Sequence, residues 1–188
     1  HGELAGTRPS VVVVDVLGSG SGQGNPGALE PAVVDPAVPL IYADDLAAVR
    51  GDGVFETLML RDGQVHKLER HSQRFLNSAA MLNLPEPDIE LWHRATTLAA
   101  EAFSADIGAD EAALRWVYSR GRESTGRPSG WITVAPISPE VEAARAEGVD
   151  VMTAERGFRI DLSQRSPWAL VGAKTLSYAA NMAALRAA

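Results

Sequence analysis

The pattern running from Gly53 to Ser104 limits the fold more than any other feature of the chain. Val54-Phe55-Glu56-Thr57-Leu58-Met59-Leu60 reads as a strand, Arg61-Asp62-Gly63 as a turn, and Gln64-Val65-His66 as a returning strand. Together they predict a β-hairpin. The period then changes. Leu68, Phe75, Ala79 and Leu82 recur at helical spacing and stop before Pro85. Asp88 stands where it can cap a second helix reaching about Ser104, with Ile89, Trp92, Ala95, Leu98 and Ala99 on one face. Two further strands are predicted over 112–119 and 130–137, joined by a polar loop at 120–129. Strands and helices in mixed order predict an α+β fold.

The flanks are less regular. Residues 10–17 are rich in β-branched side chains and read as a strand, and 18–27 as a Gly/Ser-rich loop. Within that loop, Gly22-Gln-Gly24-Asn-Pro-Gly27 matches a dinucleotide fingerprint in form only, since Pro26, Pro31, Pro36 and Pro39 forbid the helix it requires. A short helix is predicted over 139–147, a strand over 149–153, an irregular polar stretch over 157–167 and a helix over 176–188. A boundary in the region 135–148 gives an α+β domain at 1–138 and, at 139–188, the beginning of a second domain whose remainder is absent.

Charge narrows the function. The net charge of −7 provides no global attraction for nucleic acid or an anionic membrane, so an anionic ligand needs a local cluster of cations. Cysteine is absent, which excludes disulfides and thiolate chemistry. The apolar run at Val11–Leu17 is too short to span a bilayer and lacks the flanks of a signal peptide, so a soluble cytoplasmic protein is expected. His1 in place of Met suggests a chain missing its first residues. Only two of the 17 basic residues are Lys, at 67 and 174, and the others are Arg. Lys can form a Schiff base and lose its proton near neutral pH, whereas Arg does neither.

Three cations are therefore candidates. Lys174 follows a run of small and apolar residues and opens an apolar helix, where burial would lower its pKa and make it a nucleophile and base. The alternative is a helix-end lysine that snorkels to solvent. Lys67 sits among polar groups and reads as a surface residue. Arg74 lies three residues after His71, on one helical face, and could grip a phosphate; otherwise it is an ordinary surface arginine. Arg120 closes a strand just before Gly121, a position suited to substrate contact. The histidines at 1, 66, 71 and 93 show no metal spacing with carboxylates, so no metal site is expected.

Four motifs occur in order: Gly51-Asp-Gly-Val-Phe-Glu-Thr57, His71-x-x-Arg74, Ser119-Arg-Gly121 and Lys174-Thr-Leu-Ser-Tyr178-x-x-Asn181. From about residue 35 onward the chain resembles the fold-type IV pyridoxal-phosphate enzymes, which include branched-chain and D-amino-acid aminotransferases and aminodeoxychorismate lyases. It is most similar to the lyases, through Tyr42–Thr57 and Ala173–Met182. The resemblance implies pyridoxal 5'-phosphate held by Lys174 as a Schiff base, with Arg74 on its phosphate and Tyr178 near its ring. It further implies Arg120 on a substrate carboxylate, with Phe55 and Glu56 near the pocket. The implied reaction converts 4-amino-4-deoxychorismate to 4-aminobenzoate and pyruvate, a step of folate-precursor synthesis. The alternatives are amino transfer to a 2-oxo acid, by a branched-chain or D-amino-acid aminotransferase, and a non-catalytic dimeric binding module. A homodimer acting on a small molecule is implied. Family members continue beyond this point with a glutamate for the pyridine nitrogen, so this chain is expected to be truncated and, alone, inactive or nearly so.

Overall fold

A computed structural model describes residues 10–18, 29–153 and 161–188. Six antiparallel strands form one sheet in the order β2-β1-β6-β5-β3-β4. They are β1 (Val12–Asp15), β2 (Ala32–Val34), β3 (Gly53–Arg61), β4 (Gln64–Val65), β5 (Glu111–Ser119) and β6 (Ser129–Pro136). β3 and β5 pair along all nine residues, from Gly53 opposite Ser119 to Arg61 opposite Glu111. Side chains alternate between the faces of a strand, so this register decides what each face carries.

The even-numbered residues of β3, β5 and β6 build the core. Val54, Leu58, Leu60, Leu114, Trp116, Ile132 and Val134 are buried with Val12 and Val14 of β1. Over them lie α2 (Leu68–Met81), which packs on β3, and α3 (Ile89–Asp106), which crosses β1 and β6. The helices contribute Phe75, Ala79, Leu91, Trp92, Ala95, Ala99 and Phe103. Phe75 meets Trp92 and Trp116 edge-on, with ring centroids 4.8 and 5.2 Å apart. The Trp116 indole donates to Thr96 Oγ1 at 2.9 Å, so this large residue is buried without an orphaned N–H. Asp88 caps α3 by accepting from the amides of Glu90 and Leu91, as its position in the sequence predicts.

Some elements depart from expectation. The strand at 10–17 shortens to β1, and β2 and α1 (Leu46–Arg50) were not anticipated. α1 begins at Asp45, a carboxylate with no solvent exposure that accepts from the Ala47 amide and from the hydroxyls of Ser119 and Ser129. It ends at Gly51, which takes a left-handed φ of 64°. The expected strand over 149–153 does not form, and Val149, Val151 and Met152 are exposed. β-branched propensity has no effect there because the segment has no neighbouring strand to bury it. Residues 157–160 and 19–28, including the glycine-rich fingerprint, lie outside the described residues.

After α4 (Pro139–Glu147) come α5 (Leu162–Arg165), a 3₁₀ turn at Pro167–Ala169 and α6 (Ala179–Ala187). The predicted last helix thus starts three residues late. Residues 174–176 instead run extended along the free edge of β3: Thr175 bridges Val54, and the Leu176 amide donates to Gly53 O at 2.8 Å. No helix among the described residues is long and apolar enough to cross a membrane.

Candidate active site

The odd-numbered face of the sheet, away from α2 and α3, carries a cavity of about 690 Å³. Phe55 and Thr57 of β3, Arg115 and Val117 of β5, and Trp131 and Thr133 of β6 form its floor. Lys174, Leu176, Tyr178 and Met182 close one side. The edge pairing of 174–176 explains how Lys174 arrives there. Its carbonyl accepts from the Phe55 amide at 3.0 Å, which fixes the backbone beside the residue whose ring its side chain covers.

Lys174 Nζ lies 4.1 Å from the centroid of the Phe55 ring. Tyr178 meets the same ring edge-on at 5.6 Å, and the Arg115 guanidinium carbon stands 5.9 Å from it. The aromatic face attracts both cations. Neither forms an ion pair among the described residues, and no acidic side chain lines the cavity. In a chain of net charge −7, two cations thus line this cavity with no carboxylate among its lining residues. Lys174 is half-buried rather than enclosed, because the cavity is open on one side.

Of the residues singled out in the sequence, the structure brings Lys174, Phe55 and Tyr178 together. Glu56, Arg74 and Arg120 lie elsewhere. Glu56 follows Phe55 in a strand and so faces the helices, where it is wholly buried. It accepts two hydrogen bonds from Arg74 (Nε and Nη2, each 2.5 Å) and one from His71 Nδ1 at 2.8 Å. Burial pushes the Glu56 carboxyl up, but the bonds from Arg74 and His71 outweigh it and leave the group below its ordinary value. Arg74 is held above its own ordinary value mainly by the bond to Glu56. Half of the Arg74 side chain is exposed, and its Nη1 has no hydrogen-bond partner among the described residues. It can therefore still meet an anion while clamping α2 to β3.

Arg120 is more fully committed. Its Nε and Nη2 bind Asp52, and Nη1 and Nη2 reach the carbonyls of Asn83 and Leu82 at the end of α2. It lines a separate cavity of about 580 Å³ with Arg50, Trp168 and Ser177. Its contacts hold the carbonyls just past the last turn of α2. The cation that does line the Lys174 cavity is Arg115, which sequence reasoning passed over. The available signal was a lone charge in the apolar run Ala112–Tyr118, an odd position that shares a face with Phe55 once β3 and β5 are paired.

Known proteins share this architecture. A family model described as amino-transferase class IV matches residues 53–188. A bifunctional aminodeoxychorismate lyase / D-amino acid transaminase of Mycobacterium tuberculosis is 49% identical over 158 residues, 84% of this chain and 54% of that protein. A hypothetical aminotransferase from Mycobacterium tuberculosis, solved in a PLP-bound form, is 44% identical with a TM-score of 0.83 over 94% of this chain and 57% of that one. A fold IV-transaminase from Curtobacterium pusillum is 37% identical with a TM-score of 0.85, covering 95% of this chain and 60% of that one. The chain thus spans little more than half the length of the relatives it matches. By the family match and by likeness to these solved structures, it belongs to the amino-transferase class IV family, with the fold-type IV architecture.

Proposed function

We propose that this chain is the lysine-bearing part of a pyridoxal-phosphate enzyme acting on a small carboxylated amine, and that its reaction is the aminodeoxychorismate lyase reaction. The observation that carries the reading is the cavity over Phe55, where the Lys174 amine and the Arg115 guanidinium both approach the Phe55 ring and no acidic side chain lines the walls. The residues fit the cofactor chemically. A primary amine suits its aldehyde and the aromatic walls suit its ring, whereas Arg74, on the helix side of β3 and outside this cavity, would meet a phosphate only around the strand edge, through its uncommitted Nη1.

When bound, pyridoxal phosphate supplies an electron sink for the pair left at the amine-bearing carbon. Lys174 Nζ takes the proton from that carbon and delivers it later in the turnover, acting as base and then acid. Arg115 holds a substrate carboxylate, and Phe55, Trp131 and Tyr178 give the bound ring apolar walls that orient it over Lys174. The overall change converts 4-amino-4-deoxychorismate to 4-aminobenzoate and pyruvate, with aromatisation as the driving force. The printed name of the Mycobacterium tuberculosis relative joins this lyase to a D-amino acid transaminase, which makes amino transfer to a 2-oxo acid the second reading.

The same reading places Arg120 beside a substrate carboxylate only after its bonds to Asp52 open, and assigns Glu56 to holding Arg74. It divides the chain into a domain at 1–138 and the start of another at 139–188, and it includes a homodimer. The exposed Trp168, Tyr178, Met182 and Leu185 are among the apolar side chains that a partner could cover.

The test supplies pyridoxal phosphate to the full-length protein and looks for visible absorbance that Lys174→Ala removes. Pyruvate released from 4-amino-4-deoxychorismate supports the lyase. No pyruvate, but glutamate formed from 2-oxoglutarate and a D-amino acid, reverses the order. Absence of a lysine adduct sinks both and leaves a binding module of the same fold.

A further inference from the structure

We infer that Ser78 is a positioning residue for Lys174, an inference that rests on the assignment of Lys174 to the cofactor. Ser78 lies on α2, is 1% exposed, and accepts a hydrogen bond on Oγ from the Lys174 amide at 3.1 Å. The two residues are 96 positions apart in the chain, so this is a tertiary contact and not a helix-internal one. On the other side of the same residue, the Lys174 carbonyl accepts from the Phe55 amide at 3.0 Å. Both backbone polar groups of Lys174 are thereby held, one by a helix and one by a strand.

These two bonds do different work. The strand bond sets the register of 174–176 against β3. The Thr175 bridge, the Leu176 amide, the Ser177 hydroxyl on Gly51 O and the packing of Ala173 fix the segment along the strand. None of them binds the Lys174 amide, and so none fixes the rotation of that peptide about the strand axis. The bond from Ser78 comes from outside the sheet plane and fixes that rotation. Side-chain direction follows backbone orientation, so it determines whether Nζ points over Phe55, where it lies 4.1 Å from the ring centroid. A reacting amine displaced by about 1 Å loses much of its advantage.

Ser78 is also well anchored. It stands one helical turn beyond Arg74, on the same face. Arg74 and His71 tie that face to Glu56, and Glu56 is the chain neighbour of Phe55. The contacts close a ring from Phe55 through Lys174, Ser78 and α2 back to Glu56. A serine in the middle of a buried helical face is a poor choice for packing or helix propensity alone, since alanine is the better helix former. The hydroxyl earns its position through the amide it accepts.

The test compares wild type with Ser78→Ala and Ser78→Thr, the latter restoring the hydroxyl. In the protein without cofactor, amide hydrogen exchange at Lys174 is expected to be at least tenfold faster in Ser78→Ala, with exchange across β5 and α3 unchanged. Ser78→Thr is expected to return it towards wild type. With pyridoxal phosphate added, the Lys174 amine condenses with the aldehyde and water leaves; borohydride then adds hydride and fixes the product on the peptide. The fixed product is expected to form several-fold more slowly in Ser78→Ala. Unchanged exchange at Lys174 overturns the contact. Faster exchange with an unchanged rate of fixation overturns the positioning role. Failure of wild type to form the product at all overturns the assignment of Lys174 itself, and is distinguished by an exchange difference that persists without cofactor.

Discussion

Glu56 shows how much one residue's parity in a strand decides. It cannot share a surface with Phe55, so its carboxylate is buried under α2 and depends on Arg74 and His71. Its folded pKa is lowered, the net result of burial opposed by those bonds. A depressed carboxylate contributes stability above its unfolded pKa and loses it as pH falls through the folded value. The clamp is thus complete above roughly pH 4.3, the ordinary glutamate value, and is lost below it. Melting temperature against pH is expected to fall on that acid limb in wild type and to be flatter in Glu56→Gln. Removing the other partner is worse at neutral pH, because Arg74→Ala strands a wholly buried carboxylate with His71 alone. A loss of about 3 kcal/mol is expected in urea melts, against about 1–2 kcal/mol for Glu56→Gln, whose stranded partner is half in water. Arg115 answers to a kinetic measurement instead. Arg115→Gln is expected to raise KM for a carboxylated substrate about tenfold or more with kcat within a few-fold, the pattern of lost uniform binding. An unchanged KM removes Arg115 from the site.

At the scale of elements, the loop that follows β5 depends on backbone geometry a side chain would spoil. Gly121 has φ 88°, and a Cβ there would stand 1.6 Å from the Arg127 carbonyl oxygen. Gly63, in the hairpin turn, has φ 71° but open space around it. Gly121→Ala is therefore expected to lower Tm by roughly 5–10 °C, and Gly63→Ala by only about 2–4 °C from local strain. Equal losses would mean that the loop moves aside without cost. The contrast bears on what could be read in advance. The hairpin, α2, α3 and the β5–β6 pair announce themselves because each carries its own period or cap, such as Asp88 before α3. β2 and α1 do not, since neither is stable locally. β2 is three residues held by β1, and the cap of α1 is a carboxylate shared with Ser119 and Ser129, 74 and 84 positions away. The stretch at 149–153 shows the converse, strand-forming residues without a strand to join. The site was legible to the same degree. Lys174, Phe55 and Tyr178 could be named from motifs, but the separation of Glu56 from Phe55 and the entry of Arg115 required the register of β3 on β5.

For the molecule as a whole, the question is where stability resides relative to the candidate chemistry. Among the described residues, every buried apolar side chain of the core lies at or before Val134. Beyond it, only Leu170 and Ala173 pack against that core, and both are partly exposed. The sheet with α2 and α3 is complete by Pro136, while Lys174 reaches it through edge contacts with Gly53, Val54, Phe55 and Ser78. Edge contacts at a solvent-facing strand are exchanged for water at small net cost, about 1 kcal/mol for each hydrogen bond. The binding apparatus is therefore stacked on a scaffold that does not need it. A chain ended after residue 138 is expected to unfold in one cooperative step, with Tm lower by about 5–10 °C rather than abolished. Its amides in β5 and α3 are expected to keep their protection from exchange, and the Phe55 amide to lose it, because its acceptor was Lys174 O. Loss of cooperative melting in the shortened chain would show instead that the segment carrying Lys174 is part of the folding unit, and that the strand edge and the lysine are stabilised together.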